Sequence, residues 1–310
     1  MKAIVTGGAG FIGSHIVDAL IERGIEVFVI DAMYSGREEN LGKKFPKENL
    51  FKHDIVEKHN INKIFEKLRP EAVFHLAAQI DVRKSVDDPI SDATTNIIGS
   101  LNVVEAAYRF GCQKFIFSSS GGAIYGDANS IPTAENHQAN PISPYSITKL
   151  TVERYLHSYH CIYGLQYIAL RYANVYGPRQ NYRGEAGVVA IFCNNMLHKK
   201  PSTIYGDGKQ TRDYVYVEDI VKANILALEK KFVGACNIST GIESDVNTIA
   251  RYIKKSTGYE GEIINTSAKA GEVQRSCLDY SLAKKVLGWE PRVSLKDGLQ
   301  KTVEWFKMGK

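Results

Sequence analysis

Tyr145-Ser146-Ile147-Thr148-Lys149 places a phenol and an ammonium four residues apart. On a helix that spacing puts both side chains on one face. A tyrosine with its ordinary pKa of about 10 is a poor base at neutral pH. A neighbouring positive charge favours the phenolate and lowers that pKa. Such a pair can take the proton of a substrate hydroxyl and give it back. Alone, the spacing is common, and an ordinary exposed helix pair has the same form. Upstream, Ser118-Ser119-Ser120 closes the apolar run Phe115-Ile116-Phe117. A hydroxyl at a strand end there can hold the same substrate oxygen.

A second set of residues could hold a dinucleotide. Val5-Thr6-Gly7-Gly8-Ala9-Gly10-Phe11-Ile12-Gly13 follows one β-branched run and opens a helical pattern. Gly8-x-Gly10-x-x-Gly13 has the spacing of the Rossmann fingerprint. Glycine is needed there for a tight turn and for close approach of backbone to pyrophosphate, and the helix N-terminus then faces the phosphates. Asp31 ends the next apolar run. A carboxylate in that place accepts from the adenosine ribose hydroxyls and repels a 2′-phosphate, so NAD is expected over NADP. The plainer alternative is a turn residue. Arg37 nearby reads as a solvated loop arginine. A positive nicotinamide ring would add to the pull of Lys149 on Tyr145.

The elements that must position these residues alternate. Ala3-Ile4-Val5, Val27–Ile30, Ala72-Val73-Phe74, Phe115-Ile116-Phe117 and Tyr167–Leu170 read as strands. Helical patterns run over Ser14–Arg23, Ile61–Leu68, Ile90–Phe110 and Tyr145–Tyr163. Alternation of this kind predicts a Rossmann-type, doubly wound parallel α/β sheet. Such strands are covered on both faces, hence their continuous apolar runs. After Asn174 the rhythm breaks, with Tyr176-Gly177-Pro178 and Tyr205-Gly206-Asp207-Gly208 as turn clusters. The expected division is an NAD-binding domain over 1–174 and a smaller C-terminal α/β substrate-binding domain over 175–310. A segment near 214–230 is expected to return to the first domain. Ligands of open α/β sheets bind at the carboxyl edge, so a cap there is mechanically sensible.

Bulk properties narrow the classes. The 310 residues are 44% hydrophobic and 24% charged, enough for a sizeable core. Lys and Arg (39) barely exceed Asp and Glu (34), and no basic block stands out, so neither nucleic acid nor a membrane surface is an expected partner. Cys112, Cys161, Cys193, Cys236 and Cys277 form no C-x-x-C pair, and reduced, buried thiols are expected. No metal site is expected. The N-terminus enters directly into a strand pattern, and a cytoplasmic location is expected.

With these residues in view, the chain resembles the extended short-chain dehydrogenase/reductase family of NAD-dependent epimerases and dehydratases over nearly its full length. The marks are Thr6 to Gly13, including the family's Gly7-x-x-Gly10-x-x-Gly13 spacing, His75-Leu76-Ala77-Ala78, Ser118-Ser119-Ser120, and Tyr145 with Lys149. Further marks are Arg171-Tyr172-Ala173-Asn174-Val175-Tyr176-Gly177-Pro178-Arg179, Arg212-Asp213-Tyr214-Val215-Tyr216-Val217 and Leu287-Gly288-Trp289-Glu290-Pro291. The resemblance implies that Tyr145 is the acid/base, that Lys149 binds the nicotinamide ribose and tunes Tyr145, and that Ser120 holds the sugar hydroxyl. Ser119 stays open for that role, because Ser120-Gly121-Gly122-Ala123-Ile124-Tyr125 is one residue longer than the commoner family form. It also implies NAD contacts from Gly7, Gly10, Phe11, Ile12, Gly13 and Asp31, from Asp54 and Ile55 by the adenine, and from Leu76, Ala77, Ala78, Gln79, Asn96, Ser118 and Tyr172. For the substrate it implies Asn174 at the diphosphate or sugar, Arg212 at the diphosphate, and Val188, Val189 and Tyr205 around uridine. Lys269 and Glu272 stand where the family usually has Arg and Asp, and Lys lacks the bidentate fork of Arg. Ser276 falls beside the C2 substituent of the hexose. A homodimer packed through Ile90–Phe110 and Tyr145–Tyr163 is implied as well.

The family oxidises C4 of a nucleotide hexose to a ketone, and its branches differ in the fate of that ketone. A dehydratase places Asp-Glu after its catalytic threonine, and a decarboxylase usually keeps a glutamate there. Gly121-Gly122 follows Ser120 here, and neither residue can transfer a proton. Re-reduction from the other face is the fate that remains. The expectation is therefore 4-epimerisation, interconverting UDP-glucose and UDP-galactose through a 4-keto sugar by reversible hydride transfer to bound NAD. UDP-N-acetylglucosamine or UDP-glucuronate is the alternative substrate. A non-catalytic NAD-sensing protein is the alternative of another class, and it would typically lack the Tyr145 and Lys149 pair.

Overall fold

The computed structural model describes residues 1–183, 187–268 and 273–309. The first half runs β1 (Lys2–Thr6), α1 (Phe11–Glu22), β2 (Glu26–Ile30), β3 (Leu50–Phe51), α2 (Lys58–Leu68), β4 (Ala72–His75), α3 (Val82–Asp87) and α4 (Pro89–Ala93). A π-helical turn (Thr94–Gly99) leads into α5 (Ser100–Arg109). Then come β5 (Lys114–Ser120), α6 (Gly121–Ile124), α7 (Pro144–Tyr163) and β6 (Tyr167–Tyr172).

The second half holds β7 (Asn174–Tyr176), α8 (Val188–Leu197), β8 (Ser202–Tyr205), β9 (Thr211–Tyr216), α9 (Val217–Glu229), β10 (Gly234–Ile238) and β11 (Glu243–Asp245). It ends with α10 (Val246–Thr257), β12 (Ile263–Thr266), β13 (Arg275–Ser276), α11 (Ser281–Leu287) and α12 (Leu295–Lys307).

Seven parallel strands form the large sheet in the order β10-β6-β5-β4-β1-β2-β3. Side chains alternate faces along each strand. Ala3 and Val5 join Ile16, Val17 and Leu20 of α1 and Ile220 of α9 on one face. Ile4 joins Phe65 of α2, Val103 of α5 and Val152 and Leu156 of α7 on the other. Each of the fully buried Val, Leu, Ile and Phe side chains among them contributes about 1.5–3 kcal/mol. This doubly wound α/β sheet is the architecture the alternating pattern predicts.

The strand order turns round between β1 and β4, and the carboxyl ends of both strands open into the crevice that receives ligands in such sheets. Above that edge sits a second core built on Phe192, Met196, Ile204, Ile249, Ile253 and Val303.

Three features differ from the sequence reading. The helix expected over Ile90–Phe110 carries the π turn at its centre, where a Cβ on Gly99 would approach Ile55 Cγ1 to 2.7 Å. Short π segments of this kind are frequent at functional sites. β10 is an added strand beside β6, delivered by α9, which packs on α1. Cys161 is exposed rather than buried, because it lies on the outer side of α7, while the other four thiols are buried. Among the described residues no helix is long and apolar enough to cross a membrane.

Candidate active site

The glycine cradle follows β1. Gly7 adopts φ +69°, a left-handed conformation that favours glycine. A Cβ there would lie 2.8 Å from the Ala77 nitrogen, and one on Gly13 would lie 2.2 Å from the Gly7 carbonyl oxygen. Gly10 caps α1 without a side-chain bond. The first-turn N–H groups of Phe11, Ile12 and Gly13 therefore have no intrahelical partner and face outward for an anion. The loop after β4 closes on the cradle, with Leu76 and Ala77 N–H each donating to Thr6 Oγ1 at 3.2 Å. Ala78 continues that loop.

Asp31 sits at the end of β2. Its two oxygens accept from Ala9 N–H and Met33 N–H, each at 2.9 Å. Burial raises its pKa, and those two bonds pull it back. A carboxylate keeps further lone pairs for sugar hydroxyls. Past β3, the neighbour of β2, Ile55 is buried in the core, and Asp54 accepts from Val56 N–H and faces the exposed Tyr34. These residues fit an adenine dinucleotide: a cradle closed to any side chain, a free helix N-terminus, and a carboxylate at the ribose end.

α7 carries the catalytic candidates. Ser143 caps it through Ser146 N–H, with Pro144 in the first turn, where a missing N–H costs nothing. The Ser120 hydroxyl faces the Tyr145 phenol closely enough to lower its pKa. Lys149 Nζ donates to the Ser118 carbonyl at 2.9 Å and lies 5.8 Å from the Tyr145 ring centroid. Ser119 is engaged elsewhere, donating to Glu153 Oε1 at 2.6 Å. The geometry thus separates the two serines: Ser120 faces Tyr145 and Ser119 does not.

The chain's own groups, without the nicotinamide charge, raise the Tyr145 pKa rather than lower it. Burial pushes the phenol up to about 12, and the nearby Ser120 hydroxyl pulls only partly against it. Burial also lowers Lys149 to about 8. Lys149 meets the face of the ring rather than the hydroxyl, so the chain's own groups leave the phenol protonated at neutral pH.

Asn96 lies in the π turn and spends its side chain on the loop after β4. Its oxygen accepts from Gln79 N–H at 2.8 Å and its amide donates to the Gln79 carbonyl at 2.9 Å. Tyr172 is buried, bonded to Asn224 and to Ser118.

The substrate candidates gather on the second core's near edge. Asn174 begins β7 and is exposed, and a Cβ on Gly122 would come 3.5 Å from its Oδ1. Val188 is half-buried at the start of α8, while the Val189 side chain turns into the core. Tyr205 is exposed at the end of β8. Arg212 and Ser276 are cross-strand neighbours in the β9–β13 pairing. Lys269 and Glu272 lie outside the described residues.

Two functional features escape sequence reasoning. Arg171 holds Glu153 through several hydrogen bonds, the shortest at 2.6 Å, and both are buried. Asp92 accepts from Gln79, Asn96 and Thr148. In sequence Asp92 is one more polar residue on a helix, and only its neighbourhood with Asn96 hints at more.

The family described as NAD dependent epimerase/dehydratase matches residues 3–239. A UDP-glucose 4-epimerase of Mycolicibacterium smegmatis is 43% identical over 310 residues, covering 99% of each chain. The structure of UDP-glucose 4-epimerase from Thermotoga maritima with UDP-glucose matches with a TM-score of 0.97 at 50% identity, covering 100% of this chain and 99% of that one. That of Thermus thermophilus UDP-glucose 4-epimerase in complex with NAD matches with 0.94 at 40% identity, covering 99% of each.

Proposed function

The chain belongs to the NAD dependent epimerase/dehydratase family, and from that premise we propose that it interconverts UDP-glucose and UDP-galactose. The carrying observation is the Ser120 hydroxyl facing Tyr145 beside Lys149, followed at once by Gly121-Gly122. Oxidation at C4 has its acid/base, and no second proton-transferring side chain follows it to eliminate water.

Bound NAD would supply the hydride acceptor at C4 and a positive ring charge that favours the Tyr145 phenolate. The cradle from Gly7 to Gly13 and Asp31 hold it, and Lys149 reaches the nicotinamide ribose. Ser120 holds the C4 oxygen while Tyr145 removes its proton. The same proton returns when the 4-keto sugar, turned over in the pocket, is reduced on its other face. Asn174, Val188, Tyr205 and Arg212 anchor the UDP so that the hexose alone turns.

The test incubates the purified protein with either UDP-hexose and resolves the sugars. Both should reach the same mixture without net NADH. A dehydrated or decarboxylated product, or none, overturns the reading. UDP-N-acetylglucosamine is a second substrate on this proposal, favoured by the small, half-buried Ser276 beside Arg212.

The protein is also proposed to act as a homodimer. Ile90 and Ile98 on one helical segment, and Ile147, Tyr155 and Ile162 on α7, form exposed apolar stripes.

A further inference from the structure

Asp92 is almost fully buried at 1% exposure, near the end of α4, and no step of the proposed reaction uses it. Its Oδ1 accepts from Gln79 Nε2 at 3.0 Å and Asn96 Nδ2 at 2.9 Å. Its Oδ2 accepts from Thr148 Oγ1 at 3.2 Å. Three segments therefore meet on one carboxylate: the loop after β4, the π turn, and the turn of α7 between Tyr145 and Lys149. Every one of these donors is neutral. A buried carboxylate without a cation is costly to keep charged.

We propose that Asp92 is the positioning residue of the catalytic pair, clamping α7 to the loop after β4 and serving as the counter-charge of the Lys149 ammonium. This rests on the proposed roles of Tyr145 and Lys149. The groups facing Lys149 are Asp92 from α4, Glu153 and Tyr145 from α7, and His75 from β4. Glu153 is already neutralised by Arg171. His75 is uncharged, because burial drives its pKa to about 3. Asp92 is left as the unneutralised anion, and it is the foremost influence opposing the burial of Lys149. It acts on Tyr145 in the same direction, raising the phenol.

Removing the charge therefore lowers both groups together. With NAD bound, whose ring charge would bring the Tyr145 phenol below Lys149, the acid limb of the kcat profile follows Tyr145 and the alkaline limb follows Lys149, so the whole bell slides toward acid. A purely structural residue would lower kcat without moving either limb.

The experiment compares wild type with Asp92→Asn, which keeps the shape and the Oδ1 acceptor. Three quantities are read: kcat and KM against pH with UDP-galactose, NAD affinity against pH by fluorescence quenching, and Tm. Both limbs should move acidward by roughly one unit. The alkaline fall in NAD affinity should move with them, with KM at the optimum within about twofold. Limbs that stay in place overturn the proposal, whatever happens to kcat. Asp92→Ser, which leaves room for water, carries the same measurement if Asp92→Asn does not fold. Failure of both to fold assigns Asp92 to structure alone and also overturns it. Absence of turnover in wild type would instead overturn the epimerase reading, so the two failures are distinct.

Discussion

Removing one oxygen from Tyr145 tests the chemistry directly. Tyr145→Phe keeps the ring against Lys149 and loses only the proton-accepting hydroxyl that faces Ser120. Turnover should fall by about two to four orders of magnitude, while Tm and NAD affinity stay near wild type. Near-normal turnover would remove Tyr145 from the mechanism. On the proposed reading Asp31 sets cofactor choice, and both its oxygens are already aimed by Ala9 and Met33. Asp31→Ala should weaken NAD and narrow its advantage over NADP, read as the ratio of the two dissociation constants. A wild-type preference for NADP would refute that assignment. Ser276 is the third residue of this kind. Ser276→Tyr adds bulk beside Arg212, where an N-acetyl group would sit. It should depress kcat/KM for UDP-N-acetylglucosamine and leave UDP-glucose largely unchanged. Equal losses for the two sugars, or no wild-type activity on the N-acetyl sugar, would sink the gate.

At the scale of elements, His75 ties β4 to its neighbours. Its Nδ1 pairs with Thr6 Oγ1 of β1 at 2.7 Å and its Nε2 with Ser100 Oγ of α5 at 2.8 Å. Its folded pKa of about 3 lies below the unfolded value near 6.5. Between those values the unfolded chain binds the extra proton, so stability falls as pH falls through that window and is full above it. The slope is about 1.4 kcal/mol per unit at most. Urea denaturation at several pH values should show this slope in wild type and a shallower one in His75→Gln. Equal slopes would show that His75 charges in the fold.

These same elements show what is legible in sequence. The cradle is legible because the φ at Gly7 and the contact at Gly13 exclude side chains, so the chemistry writes itself as glycine. The strands of the first half are legible because burial on both faces demands unbroken apolar runs. β10 is not: Gly234-Ala235-Cys236-Asn237-Ile238 has little strand propensity, and its neighbour β6 and the α9–α1 packing put it there. Nor is the choice between Ser119 and Ser120, which turns on Glu153, 34 residues from Ser119.

The molecule as a whole places its chemistry between two cores, with Phe11 of the cradle packed against the second. Its outer surface points to an assembly. On α7, Ile147, Tyr155 and Ile162 recur at spacings that keep them within one stripe. α5 packs beside α7, and the segment leading into α5 exposes Ile90 at 79% and Ile98 at 52%. Single exposed apolar residues need no explanation, but two adjoining stripes do. Two copies related by a two-fold axis would bury them against each other as four helices. Such an interface needs roughly 1,200–2,000 Å² in total, which helices the length of α7 can supply. Sedimentation should therefore give twice the 34.5 kDa chain mass. Ile98→Asp with Ile162→Asp should give a monomer, because each charge would be desolvated without a partner. Ser120, Tyr145 and Lys149 come from the same chain, so the monomer should keep their geometry and turn over, with a lower Tm. A monomeric wild type, or a double variant that stays dimeric, would show that these stripes serve something else.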